Sequence, residues 1–303
     1  MEPIILPRIS DQKPLVSVIA ITYNHESYIR DCLEGFLMQK TNFPVEIIIH
    51  DDASTDHTAD IIREYYEKRP DLFHVIIERE NLYSQKKPIV TPLYEKVQGK
   101  YIALCECDDY WIDPLKLQKQ FDLCEKEDIV GCVGYYIKEE NGEKTIKDYS
   151  KDIYVLKKNN PGMHYFHTST YFFRASAIRK VLKEYNTISN YSWQDRILFN
   201  CLSSLGDIKI VQEPLSCYRI TGHGVATSLS AKQHSYNLVL KQMTLLYLFG
   251  PKGMRAFHGK YCVRRLIHFI RDRDTSFSIK WQCIQQLICF MLLWRKFCLL
   301  NKM

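Results

Sequence analysis

Four short apolar runs, separated by helical patterns and mostly ending in polar or acidic residues, constrain the fold of this 303-residue chain most. Val16-Ser17-Val18-Ile19-Ala20-Ile21 reads as a strand buried on both faces, as in parallel sheets. A helix is expected over 28–39, where Ile29, Cys32, Leu33, Phe36 and Leu37 recur on one face. A β-branched strand over 45–49 then runs into His50-Asp51-Asp52, and Ser54-Thr55-Asp56 supplies helix N-cap chemistry before a helix over 59–68. Runs over 73–77 and 101–104 complete the set. Strands and helices alternating at this spacing predict βαβ units: an α/β fold with a mostly parallel central sheet flanked by helices.

Beyond Trp111 the pattern is less regular. Asp113-Pro114 opens a helix over 115–126, a strand follows over 129–137, and Asn141-Gly142 has hairpin-turn chemistry. A short strand is expected over 170–173, helices over 176–185 and 195–205, and a strand over 208–211. From 231 the chain reads as a helical extension broken near Gly250-Pro251 and at 272–274. Its 46% hydrophobic and 25% charged residues, with no repeat or low-complexity tract, are those of a globular protein. Eleven cysteines without CxxC pairs, and no signal peptide, point to a reducing, cytoplasmic setting, with Cys105 and Cys107 as packing residues.

Chemistry concentrates where the strands end. Glu106, Asp108 and Asp109 put three carboxylates within four residues directly after an apolar run. Carboxylates there repel one another and are costly to desolvate, and a hard divalent cation such as Mn²⁺ or Mg²⁺ removes both costs. The first strand leads into Thr22-Tyr23-Asn24 and the second into Asp51-Asp52. In open α/β sheets ligands bind at these carboxyl ends, so the three sites can share one cleft. Tyr23 offers a face for a base, and Asp52 an acceptor for a base N–H. No GxGxxG or Walker A loop occurs, which argues against dinucleotide-dependent dehydrogenases and P-loop kinases.

Val16–Ile19 with Thr22-Tyr23-Asn24, the run Glu46–Asp56 (EIIIHDDASTD) and Glu106–Trp111 resemble the inverting family-2 glycosyltransferases of the GT-A fold. The resemblance runs from about Pro14 to about Thr227. It implies a nucleotide-sugar donor, most simply a UDP-sugar, and a hydroxyl acceptor on a glycan or glycolipid. It also implies that Thr22, Tyr23, Asn24, Asp52 and Asp108 bind the nucleotide, and that Asp109, Asp108, Glu106 and His223 hold the metal. Glu106 stands where the family often has Asp, and Cys107 where it usually has a smaller Gly, Ala or Ser. Ser192–Leu198 resembles the acceptor-side motif, which makes Asp195 the general base. A helix N-terminus favours the ionised form that a base requires.

His167 reads as a structural residue near the acceptor side, and Trp111 and Trp193 as packing residues or sugar platforms. The implied organisation is a GT-A-like domain over 1–230, with a nucleotide half to about 115 and an acceptor half over 116–230, followed by the extension 231–303. That extension carries 13 basic residues against Asp272 and Asp274, a net of +11, while 28 basic and 33 acidic residues leave the first 230 positions at −5. Its apolar stretch 287–294 is too short to span a bilayer. An in-plane helix on the anionic inner face of the cell membrane fits it, with packing on the domain or in a homodimer as the alternative. No recognition module accompanies the charge, so nucleic acid is not expected as a partner. The rival readings are a non-catalytic nucleotide-sugar-binding protein and a sugar-1-phosphate nucleotidyltransferase.

Overall fold

The computed structural model describes residues 2–148, 154–158, 166–184 and 194–222, together with most of 264–272 and 280–284. The chain divides into two compact units, one formed by Met1–Asn190 and Cys201–Thr221, the other by Tyr191–Asn200 and Gly222–Met303.

In the first unit an 11-stranded sheet is built from β1 (Ile4–Leu6), β2 (Val16–Thr22), β3 (Val45–Asp51), β4 (Phe73–Ile77), β5 (Tyr101–Glu106), β6 (Tyr110–Trp111), β7 (Gly131–Glu140), β8 (Glu143–Lys147), β9 (Val155–Leu156), β10 (Phe172–Arg174) and β11 (Ile208–Ile220). The order is β1-β4-β3-β2-β5-β10-β7-β11-β6, with β8 on β7 and β9 on β11. The four strands read from the sequence as parallel lie together: β2 pairs in parallel with β3 and β5, and β3 with β4. Outside this group the sheet is largely antiparallel. Residues of β2, β3 and β5 are almost all buried, as β-branched runs covered on both faces must be.

Six helices are described: α1 (Ile29–Leu37), α2 (Thr58–Lys68), α3 (Val90–Lys96), α4 (Lys116–Lys126), α5 (Ala175–Glu184) and α6 (Gln194–Leu205). One apolar core joins Ile29, Leu33 and Phe36 of α1, Ile61, Ile62 and Tyr65 of α2, and Leu117 and Cys124 of α4 to the central strands. Trp111 is 1% exposed and meets Phe36 edge-on at 4.7 Å, so it packs and offers no sugar platform. Trp193 lies outside the described residues.

Several local expectations change. Ser54 and Thr55 do not cap α2. Asp56 accepts the Thr58 N–H at 2.9 Å, while Ser54 Oγ accepts the Asn24 N–H and Asn24 Oδ1 accepts the Thr55 N–H. These polar side chains stitch the loop after β2 to the loop after β3, a use that cap chemistry alone does not distinguish. The strand expected over 170–173 is present as β10, Phe172–Arg174, but starts two residues later, after a 3₁₀ turn over Thr168–Thr170. β11 runs to Ile220, well beyond the four residues expected. Asn141 and Gly142 both take positive φ, 53° and 81°, as a two-residue hairpin of the mirror-image type requires.

In the second unit Leu266 and Cys283 are buried. No helix of the described residues is long and apolar enough to cross a membrane. Most of the extension, including 287–294, lies outside the described residues.

Candidate active site

Register brings the polar strand ends level. Thr22 of β2 pairs with Asp51 of β3, and Ile21 with Glu106 of β5. Strand order also reverses here, since β2 is followed outward on one side by β3 and on the other by β5. Such switch points are where open α/β sheets form their ligand crevices.

Tyr23 is 43% exposed, and Asn24 takes a positive φ of 54°. Thr22 is buried, and its Oγ1 has no hydrogen-bond partner among the described residues. Asp52 is buried at 3% exposure and both carboxylate oxygens accept backbone N–H groups, Oδ1 from Leu82 at 2.7 Å and Oδ2 from Tyr83 at 3.0 Å. The side chain expected to meet a base edge therefore also fastens the loop after β4.

The acidic turn draws on two distant segments. β10 runs antiparallel to β5, so the residues just before it travel back along the carboxyl end of β5. Thr168 Oγ1 thereby donates to Glu106 Oε2 at 2.8 Å, and His167 Nδ1 comes to 3.3 Å from Asp109 Oδ2. β11 pairs with β6, which sets Arg219 on the turn from the other side. The Arg219 N–H donates to Asp109 Oδ1 at 2.9 Å and its Nη1 to the Asp108 carbonyl at 3.3 Å. Its guanidinium also pairs with Asp31 and lies 4.2 Å from the Tyr110 ring centre.

Glu106, Asp109 and His167 each offer a ligand atom, and these atoms all lie within 4.8 Å of one another. Asp108 is not part of this set, and His223 lies outside the described residues. His167 was expected to be structural, because a histidine 58 positions beyond Asp109 carries no spacing signal; only the antiparallel return of β10 brings it in.

Electrostatics support a cation at this place. Burial, reinforced by Asp108, pushes the Asp109 carboxyl well above the usual carboxylate range. Burial lowers the His167 imidazole to about 3, so the ring is neutral. Nδ1 lies 3.4 Å from the Ser169 N, 2.8 Å from Ser169 Oγ and 3.3 Å from Asp109 Oδ2. A proton shared between ring and carboxylate, or a metal ion, would make the last of these contacts favourable. Two ligands about 2.1 Å from an octahedral ion stand roughly 3 Å apart, so the spacing suits Mn²⁺ or Mg²⁺.

Behind the turn, Tyr218 stacks on the His167 ring at 4.0 Å, and Ser169 Oγ lies 2.8 Å from Ser216 Oγ. Trp111 Nε1 donates to the Ser169 carbonyl and Gln120 Nε2 to the Thr170 carbonyl. The 3₁₀ turn is held on its inner side by buried bonds. Asp195 stands half-buried in the first turn of α6, in the second unit.

Comparisons with known proteins agree on the family. Rv1520 of Mycobacterium tuberculosis is 50% identical over 107 residues, 35% of this chain and 30% of that protein, so the chain spans about a third of that relative. The glycosyltransferase alr2836 of Nostoc is 28% identical over 244 residues, 77% of this chain and 74% of its own. TuaG of Bacillus subtilis, a glycosyltransferase ascribed to teichuronic acid biosynthesis, is 37% identical over 131 residues, 43% of this chain and 50% of its own. Among solved structures, S. aureus TarS 1-349 in complex with UDP matches with a TM-score of 0.60 at 18% identity, covering 90% of this chain and 78% of that one. The mannosyltransferase PcManGT of Pyrobaculum calidifontis, in complex with GDP-Man and Mn²⁺, matches with a TM-score of 0.53 at 14% identity, covering 94% and 84%. These two likenesses establish the GT-A type of α/β fold. The model of glycosyl transferase family 2 matches residues 17–182, more than half of the sequence, and the chain belongs to that family.

Proposed function

We propose that the protein transfers a sugar from a nucleotide-diphosphate donor, a UDP-sugar, to a hydroxyl of a glycan or lipid-linked glycan, with inversion and with the help of a divalent cation. The observation that carries this reading is the convergence of Glu106, Asp109 and His167 at the strand switch point. These three would hold Mn²⁺ or Mg²⁺, whose charge offsets that gathering on the leaving nucleoside diphosphate. Asp108, beside them on the turn, takes the ribose or the metal. Tyr23 stacks on the base, while Thr22, Asn24 and Asp52 line its pocket. Asp195 takes the proton of the acceptor hydroxyl. That oxygen attacks the anomeric carbon as the bond to the diphosphate breaks, which inverts the centre. A structural neighbour in complex with UDP and a relative ascribed to teichuronic acid biosynthesis support the donor and acceptor classes.

One substitution and one chelation experiment separate this reading from its rivals. Asp195→Asn is expected to retain donor binding and lose transfer by about 10²- to 10⁴-fold. Transfer at the wild-type rate would remove Asp195 from the mechanism. EDTA is expected to stop transfer and Mn²⁺ or Mg²⁺ to restore it. Donor binding without any transfer across acceptors would favour a binding protein, and nucleotidyl transfer from UTP a nucleotidyltransferase. The catalytic domain on this reading covers 1–230. The basic extension places it peripherally on the inner face of the membrane, and co-sedimentation with anionic vesicles tests that against a homodimer contact.

A further inference from the structure

We infer that Tyr83 forms, opposite Tyr23, the second aromatic wall of the site that receives the base of the donor; this rests on the nucleotide-donor reading above. Both tyrosines are tied to one residue, Asp52. The Asp52 N–H donates to the Thr22 carbonyl at 3.0 Å, directly before Tyr23 in sequence. Its carboxylate accepts the Leu82 and Tyr83 N–H groups, and its carbonyl accepts Asn81 Nδ2 at 3.0 Å.

The loop so held is compact. Asn81 Oδ1 accepts the Ser84 N–H at 2.7 Å, and the Leu82 carbonyl accepts those of Gln85 and Lys87. Lys86 closes the turn with a positive φ of 56°. A buried carboxylate held by two backbone N–H groups is a strong, charge-assisted anchor. What this anchor presents is a phenol ring: Tyr83 is 59% exposed and Tyr23 43%, although large apolar side chains in this unit are mostly buried. Two exposed rings stand in the loops after β2 and β4, Tyr23 one residue beyond the carbonyl that meets the Asp52 N–H and Tyr83 on an N–H that the Asp52 carboxylate accepts. A planar ligand with a π-face on either side is the class that such a pair accepts.

The arrangement also alters the part played by Asp52. With both oxygens already accepting N–H groups, its first task is to hold the loop, and the rings supply affinity for a base without choosing between bases.

Titration of UDP in the presence of Mn²⁺, followed by calorimetry on wild type, Tyr83→Phe and Tyr83→Ala, tests the inference, with pyrophosphate as a base-free probe. Tyr83→Ala is expected to weaken UDP by about 5- to 100-fold, the range of single base–aromatic stacks, and to leave pyrophosphate unchanged. Tyr83→Phe should bind UDP within about twofold of wild type, since the ring is kept. Wild-type affinity for UDP in Tyr83→Ala would overturn the second wall and leave the donor reading intact. Equal weakening of UDP and pyrophosphate would show a collapsed loop in place of a lost stack. Absence of nucleoside diphosphate binding by the wild type would remove both.

Discussion

The backbone N–H of Arg219 donates to Asp109 Oδ1 at 2.9 Å across a separation of 110 residues. This bond joins the end of β11 to the turn after β5, and the Arg219 side chain extends it by reaching the Asp108 carbonyl and Asp31. The same carboxylate faces His167 through its other oxygen. One buried aspartate thus gathers the end of β11 and the return into β10.

Arg219 is expected to set the geometry of the acidic turn. Arg219→Met keeps the backbone bond but removes the contacts to Asp108 and Asp31, and should lower Mn²⁺ affinity and transfer by about tenfold or more, the usual cost of losing an outer-shell partner. Arg219→Lys should recover part of the loss, because a single ammonium replaces one arm of the fork. Wild-type Mn²⁺ affinity in the Met variant would show that the turn holds its shape alone.

His167 is expected to be a metal ligand. His167→Ala should reduce Mn²⁺ affinity by at least about tenfold, read from the free-ion signal in electron paramagnetic resonance titrations. A circular dichroism spectrum matching wild type would confirm that the variant folds. An unchanged Mn²⁺ isotherm would return His167 to a packing role.

Lys116 gives a signature in stability. Its side chain is wholly buried, with Nζ donating to Gln120 Oε1 at 2.7 Å and lying 4.2 Å from the Trp111 ring centre. Burial lowers its pKa to about 7, whereas the ring face favours the charged form. Burial outweighs the single ring and the more distant charge of Asp113. Between the folded value near 7 and the unfolded value near 10.5, the unfolded chain then binds more protons, so stability rises with pH. The unfolding free energy of wild type minus that of Lys116→Met should climb from pH 7 to pH 9.5 by up to about 1.4 kcal/mol per pH unit. A flat difference would mean that Trp111 keeps the ammonium charged.

Close approach of strands should make Gly131 intolerant of a methyl group. A Cβ there would stand 2.4 Å from the Phe172 carbonyl oxygen and 2.8 Å from Phe173 Cα, so backbone must move. Gly131→Ala is expected to cost about 1–3 kcal/mol in denaturant unfolding. At Gly134 the nearest atoms belong to the Leu215 side chain, and Gly134→Ala should cost less. Equal losses would show that Leu215 cannot turn aside.

Much of the nucleotide half was legible because its signals are local. Residues 16–21, 45–49, 73–77 and 101–104 are short, predominantly apolar runs, a pattern by which parallel strands covered on both faces are recognised. The positions of Tyr23, Asp52 and Glu106–Asp109 followed, since whatever succeeds such a strand stands at the ligand-bearing edge of the sheet. The caps of α2 did not follow. Ser54, Thr55 and Asp56 have cap chemistry, yet all three bond to the neighbouring loop, and a polar side chain carries no mark of which partner it will meet.

By itself the sequence left β1 and α3 unread, but determined where the four parallel strands and the helices α1 and α2 fall, and that acidic side chains follow a buried strand. Those are properties of hydrophobic period and local backbone preference. Only the tertiary structure decided which residues attend the carboxylates. Thr168 reaches Glu106 across 62 positions, His167 reaches Asp109, and Leu82 and Tyr83 take up Asp52. The physical reason is that a buried carboxylate must find compensating donors or a cation, and which groups can supply them depends on antiparallel returns and strand pairings that no periodicity encodes.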